Sequence, residues 1–567
     1  MIAGTMRYLI LLLAMLPAAA QERNYARSMV ISDRGIVATS QTLASQAGAQ
    51  ILARGGSAID AAIAANAALG VVEPMMCGIG GDLFAIYWDA KTGKLTGINA
   101  SGWAPQGLTI DFLKSQGDKS MPQRGIQSVT VPGAVDGWAK LHERFGKLSW
   151  TELFQPAIYY AEHGYPLTEL IQADWSGTTG KLKADENARR VFLHNDDAPK
   201  VGELFRDPQM AAAYRLIATG GRDAFYKGPI AKAILKTSDR LGGKMTAADL
   251  SEYGAEWVQP ISTEYRGWRV YEMPPSSQGI AALEMLNIFA QFAMRNYFTR
   301  STDELHIQIE AQKLAYADLH RYVADPRFAK VPVDGILSLS YARERARQID
   351  PAKAKCDVAP GNPLPAAGDT IYLSVVDREG NIVSLIESLY SSFGSGVVVD
   401  DYGFALHNRG GLFTLDAQHP NALAPRKRPF HTIIPAFMEK GNLHIGFGIM
   451  GGLNQAQAHA QFVSNIVDQD MNIQAAMEAP RFTKLTAGGC NLSIENRVQP
   501  DVLDELRGRG HVLRVIGDYS QTVGGGQAVM HDSSAHINYG ASDPRKDGAA
   551  LPEPHPYFTA PASPPRR

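Results

Sequence analysis

The sequence predicts a mixed helix–sheet protein whose sheets are covered by helical layers. Three observations carry this. An Ala-rich stretch near the start reads as two short helices, residues 130–330 show mainly helical spacing, and after residue 370 the apolar period changes to 2 before helices return near 454–467 and 472–479. The chain has 567 residues, 45% hydrophobic and 20% charged, enough to bury a large core. A formal net charge of -2 gives no electrostatic footprint for nucleic acid or an anionic membrane surface.

Taken in order, the chain opens with "MIAGTMRYLILLLAMLPAAAQERN": Arg7, an apolar run, then Ala18-Ala19-Ala20. This reads as a secretory signal peptide, residues 1–20, with the remainder exported to the periplasm or medium. The run is too short to cross a bilayer well, so no membrane association is expected once it is removed. In "SQTLASQAGAQILARGGSAIDAAIAANAALGVVEP", Gly55-Gly56 ends one helix, and Ser57 with Asp60 forms a capping box for the next. The glycines of residues 78–81 precede a strand rather than a helix, the reverse of a dinucleotide loop, and read as a structural turn. A second strand follows the turn at Lys91-Thr92-Gly93.

Within the helical region, residues 176–200 are polar and irregular and read as an exposed excursion. Residues 357–369, "DVAPGNPLPAAGD", form a linker without periodicity. The segment 541–567 ends in Pro-rich sequence and is expected to be a flexible tail. The three cysteines, Cys77, Cys356 and Cys490, allow one bridge at most and match no zinc spacing. They read as buried or neutral thiols, and no metal or other cofactor is expected.

The chemistry-bearing stretch is "GDTIYLSVVDREGNIVSLIESLY". Two strands flank the turn "DREGN", and centring that turn on Glu379 pairs Val376 with Ile382, Ser374 with Ser384, and Thr370 with Ser388. Such a pair could be an ordinary cross-strand contact. The linker before it favours another role. The Thr370 hydroxyl can attack the Asp369 carbonyl, and hydrolysis of the resulting ester frees an α-amine on Thr370. That amine then serves as general base for its own Oγ. No G-x-S-x-G, S-x-x-K or H-E-x-x-H motif offers a competing design. Further on, an apolar strand runs into Gly451-Gly452 and a helix, where backbone N–H groups could receive an oxyanion.

Together, "GGSAIDAAIAANAALGVVEPMMCGIGGDLFAIYWD", "VPGAVDGWAKLHERFGKLSW", "MTAADLSEY", "GDTIYLSVVDREGNIVSL", "FGSGVVV", "ALAPRKRPFHTIIPA", "GIMGG" and "GASDPRKDGAA" resemble the γ-glutamyltransferase (glutathione hydrolase) family of N-terminal-nucleophile hydrolases. The resemblance implies an α+β fold, a four-layer αββα sandwich. It also implies self-cleavage between Asp369 and Thr370 into a large subunit (21–369) and a small subunit (370–567) that stay associated in one core. By the same resemblance Thr370 is the nucleophile, Ser388 the hydroxyl that hydrogen-bonds it, and Gly451-Gly452 the oxyanion pair.

The expected substrate is a small-molecule amide. Its candidate contacts are Ser101, Tyr390, Asn408, Arg409, His431 and Thr432. Several depart from the transferase pattern: Ser101 stands where the family has Arg, Leu412 where it has Asp, Tyr390 where it has Asn, and His431-Thr432 where it has Ser-Ser. The segment from Phe413 to Arg426 is shorter than in members with a lid. This pattern is closer to the cephalosporin (glutaryl) acylase and oxamate amidohydrolase branch. Arg409 then either pairs with an acyl carboxylate or forms a structural salt bridge. Three readings follow: a self-processing γ-glutamyl transferase or hydrolase, an amidohydrolase for non-glutamyl amides, and a processed but idle amide-binding protein.

Overall fold

The computed structural model describes residues 25–358 and 369–557, with backbone only for Asp369 and Thr370. Residues 1–20, expected to be a signal peptide, and most of the linker lie outside these residues. Two seven-stranded antiparallel sheets form the centre. The first sheet runs Ala549–Pro552, Ile36–Thr39, Asp369–Val376, Ile382–Tyr390, Asp82–Asp89, Lys94–Ala100 and Glu256–Val258. The second sheet runs Val30–Ser32, Ile537–Ser542, Gly526–Asp532, Leu443–Ile449, Ala436–Lys440, Trp268–Glu272 and Ile261–Tyr265.

Strand alternation sorts the layers. Phe84, Ile86, Tyr372 and Ile386 of the first sheet pack between the sheets against Phe437 and Val529 of the other. On the opposite face, Ile371, Leu373, Val375, Val383 and Leu385 meet the outer helices Thr42–Ala53, Ala58–Val72 and Ala134–Phe145. Gly279–Phe289, Thr302–Tyr322 and Asn454–Val467 cover the second sheet. The architecture is the four-layer αββα sandwich. The capping box of Ser57 and Asp60 is formed, and Gly55 turns the chain at φ 89°.

The region 130–330 is mainly helical, as its spacing predicts, interrupted between Glu256 and Glu272 by three strands of three to five residues each. Three expectations need correction. The stretch 176–200 is not a free excursion. Its short helices bury Leu182 and Phe192, with Phe192 against Trp175 and Phe393. Within the segment expected to be a flexible tail, Ala549–Pro552 pairs with Ile36–Thr39 as the edge of the first sheet. Polar and Pro-rich composition hid it, since an edge strand needs only backbone partners. Lastly, Cys356 and Cys490 form a disulfide, and Cys77 alone is a buried free thiol.

Candidate active site

The hairpin register places Val376 opposite Ile382, Ser374 opposite Ser384 and Ile371 opposite Glu387, as the turn centre predicts. The ladder then shifts by one, and Asp369 faces Tyr390. Thr370 is therefore opposed by both Ser388 and Leu389, a bulge that re-aims the strand end. Ser388 is fully buried, pairs with Asp82 across the sheet, and its Oγ accepts the N–H of Tyr390 at 2.8 Å. The glycine turn holds this end from behind. Glu387 Oε2 accepts the Gly78 N–H at 2.8 Å, and a Cβ on Gly81 would come within 2.0 Å of Glu387 Oε1. Burial pushes the Glu387 carboxyl well above its ordinary range.

Gly451 and Gly452 bridge the strand Leu443–Ile449 and the helix Asn454–Val467, at φ 120° and 59°. Both values lie in the left-handed region that glycine tolerates without strain. Neither N–H donates to an acceptor among the described residues. Their backbone is pinned from behind: Gln278 Nε2 donates to Gly452 O at 2.8 Å and also to Thr432 O.

Arg409 is fully buried in the helical turn Arg409–Leu412. Its Nη1 donates to Thr432 Oγ1 at 2.7 Å, and its guanidinium lies 4.9 Å from the Tyr390 ring centroid. Nε and Nη2 have no partner among the described residues. No carboxylate forms an ion pair with it there, so the salt-bridge alternative finds no partner. Burial lowers its pKa to about 10, while Asp82 opposes that shift. Asp82 is pushed up to about 7 by burial, opposed by Arg409.

Asp82 Oδ2 lies 3.0 Å from His431 Nε2, leaving His431 Nδ1 without a partner among the described residues. Burial and the Arg409 charge hold His431 well below its ordinary pKa, so it is neutral. Tyr390 sits at φ 79°, with its hydroxyl unpartnered in the same sense. Arg409, Tyr390, His431 and Thr432 thus gather next to the hairpin end.

Two other candidates are engaged elsewhere. Ser101 Oγ donates to Asn99 Oδ1 at 2.6 Å. Asn408 locks loops together, accepting from Ser391 N at 3.1 Å and donating to Gln123 O at 2.9 Å. Sequence reasoning missed Asp82 and Gln278. Asp82 carried one usable signal, an acid opening a buried strand directly after the glycine turn. A cavity of about 510 Å³ opens beside the Arg409 turn, lined by Met121, Gln123, His320, Gly411, Phe413 and Phe430 among others.

Comparison with known proteins bears on this arrangement. Residues 44–553 match the family model described as gamma-glutamyltranspeptidase. The chain is 37% identical over 531 residues to the Glutathione hydrolase-like YwrD proenzyme of Bacillus subtilis, covering 92% of this chain and 99% of that one. It is 34% identical over 531 residues to the Oxamate amidohydrolase proenzyme of Klebsiella pneumoniae, covering 92% and 98%. Among solved structures, a cephalosporin acylase from Bacillus halodurans superposes with a TM-score of 0.87 at 42% identity, covering 94% and 98%. The chain accordingly belongs to the gamma-glutamyltranspeptidase family of N-terminal-nucleophile hydrolases and acyltransferases.

Proposed function

We propose that this chain is an exported, self-cleaving amidohydrolase whose acyl substrate carries an anionic group and no ammonium. The observation that carries the substrate reading is Arg409, a buried guanidinium with Nε and Nη2 uncommitted among the described residues. A carboxylate would meet charge-assisted donors there. The ammonium of a γ-glutamyl group would instead face a cation in a low-dielectric site, with Leu412 offering no compensating charge. Proenzyme names among the relatives support processing from one precursor. The disulfide and the signal-like N-terminus support export.

In the proposed reaction, the Thr370 hydroxyl first attacks the Asp369 carbonyl. Water hydrolyses the ester and leaves a free α-amine. In turnover that amine takes the Oγ proton, Oγ attacks the amide carbonyl, and the Gly451 and Gly452 N–H groups receive the oxyanion. The proton passes to the leaving amine. Water or an acceptor amine then releases the acyl group from Thr370.

The test compares glutaryl, oxamic and γ-glutamyl amides, glutathione included, on wild type and Arg409→Gln. Wild type is expected to prefer the anionic acyl groups. The variant should lose kcat/KM for them by roughly ten- to a hundredfold, the worth of one charge-assisted hydrogen bond, and lose less for γ-glutamyl amides. Preference of wild type for glutathione under matched conditions would refute the substrate reading. Thr370→Ala is expected to remain one uncleaved chain by intact mass, and normal cleavage in it would refute the processing reading.

A further inference from the structure

We infer that the mature enzyme is a covalent heterodimer whose two chains are joined by Cys356–Cys490. This rests on the proposed cleavage before Thr370. Residues 370–567 contain one cysteine, Cys490, so any disulfide made within the molecule by that chain must be interchain. Cys356 lies on the other side of the cleavage point, and the structure joins the two with Cα atoms 4.9 Å apart. Peptide hydrolysis at residue 369 leaves this bond untouched, so an intrachain loop becomes an interchain link with no redox step.

The surroundings of the bridge are built for docking. Gly489 N donates to Cys356 O at 2.8 Å, and Ala354 N to Arg509 O at 2.7 Å, so the end of the large chain is seated on the small one at both flanks. Beneath them His306 Nδ1 lies 2.8 Å from His511 Nε2, again one residue from each chain. Glu310 completes a buried trio with these histidines, but Lys313 Nζ donates to its carboxylate at 2.6 Å. The Glu310 carboxylate is thus already engaged by an ammonium, and the cluster reads as a docking contact. Cys356 is exposed whereas Cys490 is buried, so a reductant reaches the link without unfolding the core.

Severing the link should matter most when the chains come apart. The tether holds each chain at high effective concentration near the other. Refolding after urea should therefore be independent of dilution in the oxidised enzyme and concentration-dependent in Cys356→Ser. Native activity should be equal in the two.

The direct experiment is denaturing electrophoresis of purified wild type after thiol blocking, with and without dithiothreitol. The expected result is one full-length band without reductant and two with it, and two without reductant in Cys356→Ser. Two bands under both conditions in wild type would overturn this inference alone. One band under both conditions would overturn the cleavage reading and this inference with it. Mapping of a different cysteine pair would also overturn it.

Discussion

In the proposed function Arg409 is the residue that selects the substrate. Its guanidinium stays charged near pH 7, because a pKa lowered to about 10 is still well above neutrality. The base is the group expected to titrate. A Thr370 α-amine of ordinary pKa about 8, lowered by burial of its charged form, should make kcat/KM fall on the acid side with a single apparent pKa below 8. A flat profile from pH 5 to 8 would exclude the amine as base.

A second residue-scale prediction concerns stability. Asp207 caps the helix Pro208–Tyr226 by accepting from Met210 N at 2.9 Å, and burial pushes its carboxyl to about 7. The folded state thus binds its proton more tightly than the unfolded state does. Its contribution is full below the ordinary carboxyl pKa and is lost as pH rises to about 7. Asp207→Asn keeps an acceptor at the cap and removes the titration. Relative to wild type, the variant should gain on the order of 1–4 kcal/mol in urea unfolding between pH 4 and 8, at about 1.4 kcal/mol per pKa unit. An unchanged difference across that range would show that Asp207 does not titrate between these limits.

At the scale of elements, the strand–glycine–helix join does what neither element could do alone. The strand delivers Gly451 and Gly452, and Gln278 holds the Gly452 carbonyl from the neighbouring helical layer. Gly451→Ala places a Cβ at φ 120° and 3.3 Å from Asn454 Cβ. The N–H groups should turn away, lowering kcat by roughly 10²–10³ with KM little changed, as for loss of an oxyanion donor. The edge strand Ala549–Pro552 is equally specific. Ser45 Oγ donates to Ala549 O at 2.7 Å, and Glu553 pairs with Arg34 at 2.6 Å and with Arg378. Ending the chain at Asp547 should lower the melting temperature by several degrees, because Ile36–Thr39 next to the strand Asp369–Val376 becomes an open edge. An unchanged melting temperature would mean that the strand adds nothing.

Over the whole molecule, the two proposed chains interleave. In the first sheet Ile36–Thr39 of the large chain lies between two strands of the small one, Ala549–Pro552 and the strand that runs from Thr370 to Val376. Separation would break backbone ladders on both sides. Cleaved and reduced enzyme should therefore elute as one species at nanomolar concentration, and both chains should unfold in one transition. Elution of free small chain would contradict that picture.

Much of this was legible in the linear sequence, wherever the information is local. The capping box, the glycine turns, the hairpin register from Ile371 to Val376 and the strand–Gly-Gly–helix join depend on neighbours a few residues apart. Alternation and φ preferences are enough to determine them. The family's motifs determined the fold class and marked Arg409 among the substrate candidates. What only the tertiary structure decided is whatever depends on partners far along the chain: the bulge opposite Thr370, the buried Arg409 held by Thr432 beside Tyr390, Asp82 held against His431, the edge strand Ala549–Pro552, and the pairing of Cys356 with Cys490. Backbone ladders, burial and disulfide geometry are properties of approach in space, and spacing along the chain does not record which distant groups will meet.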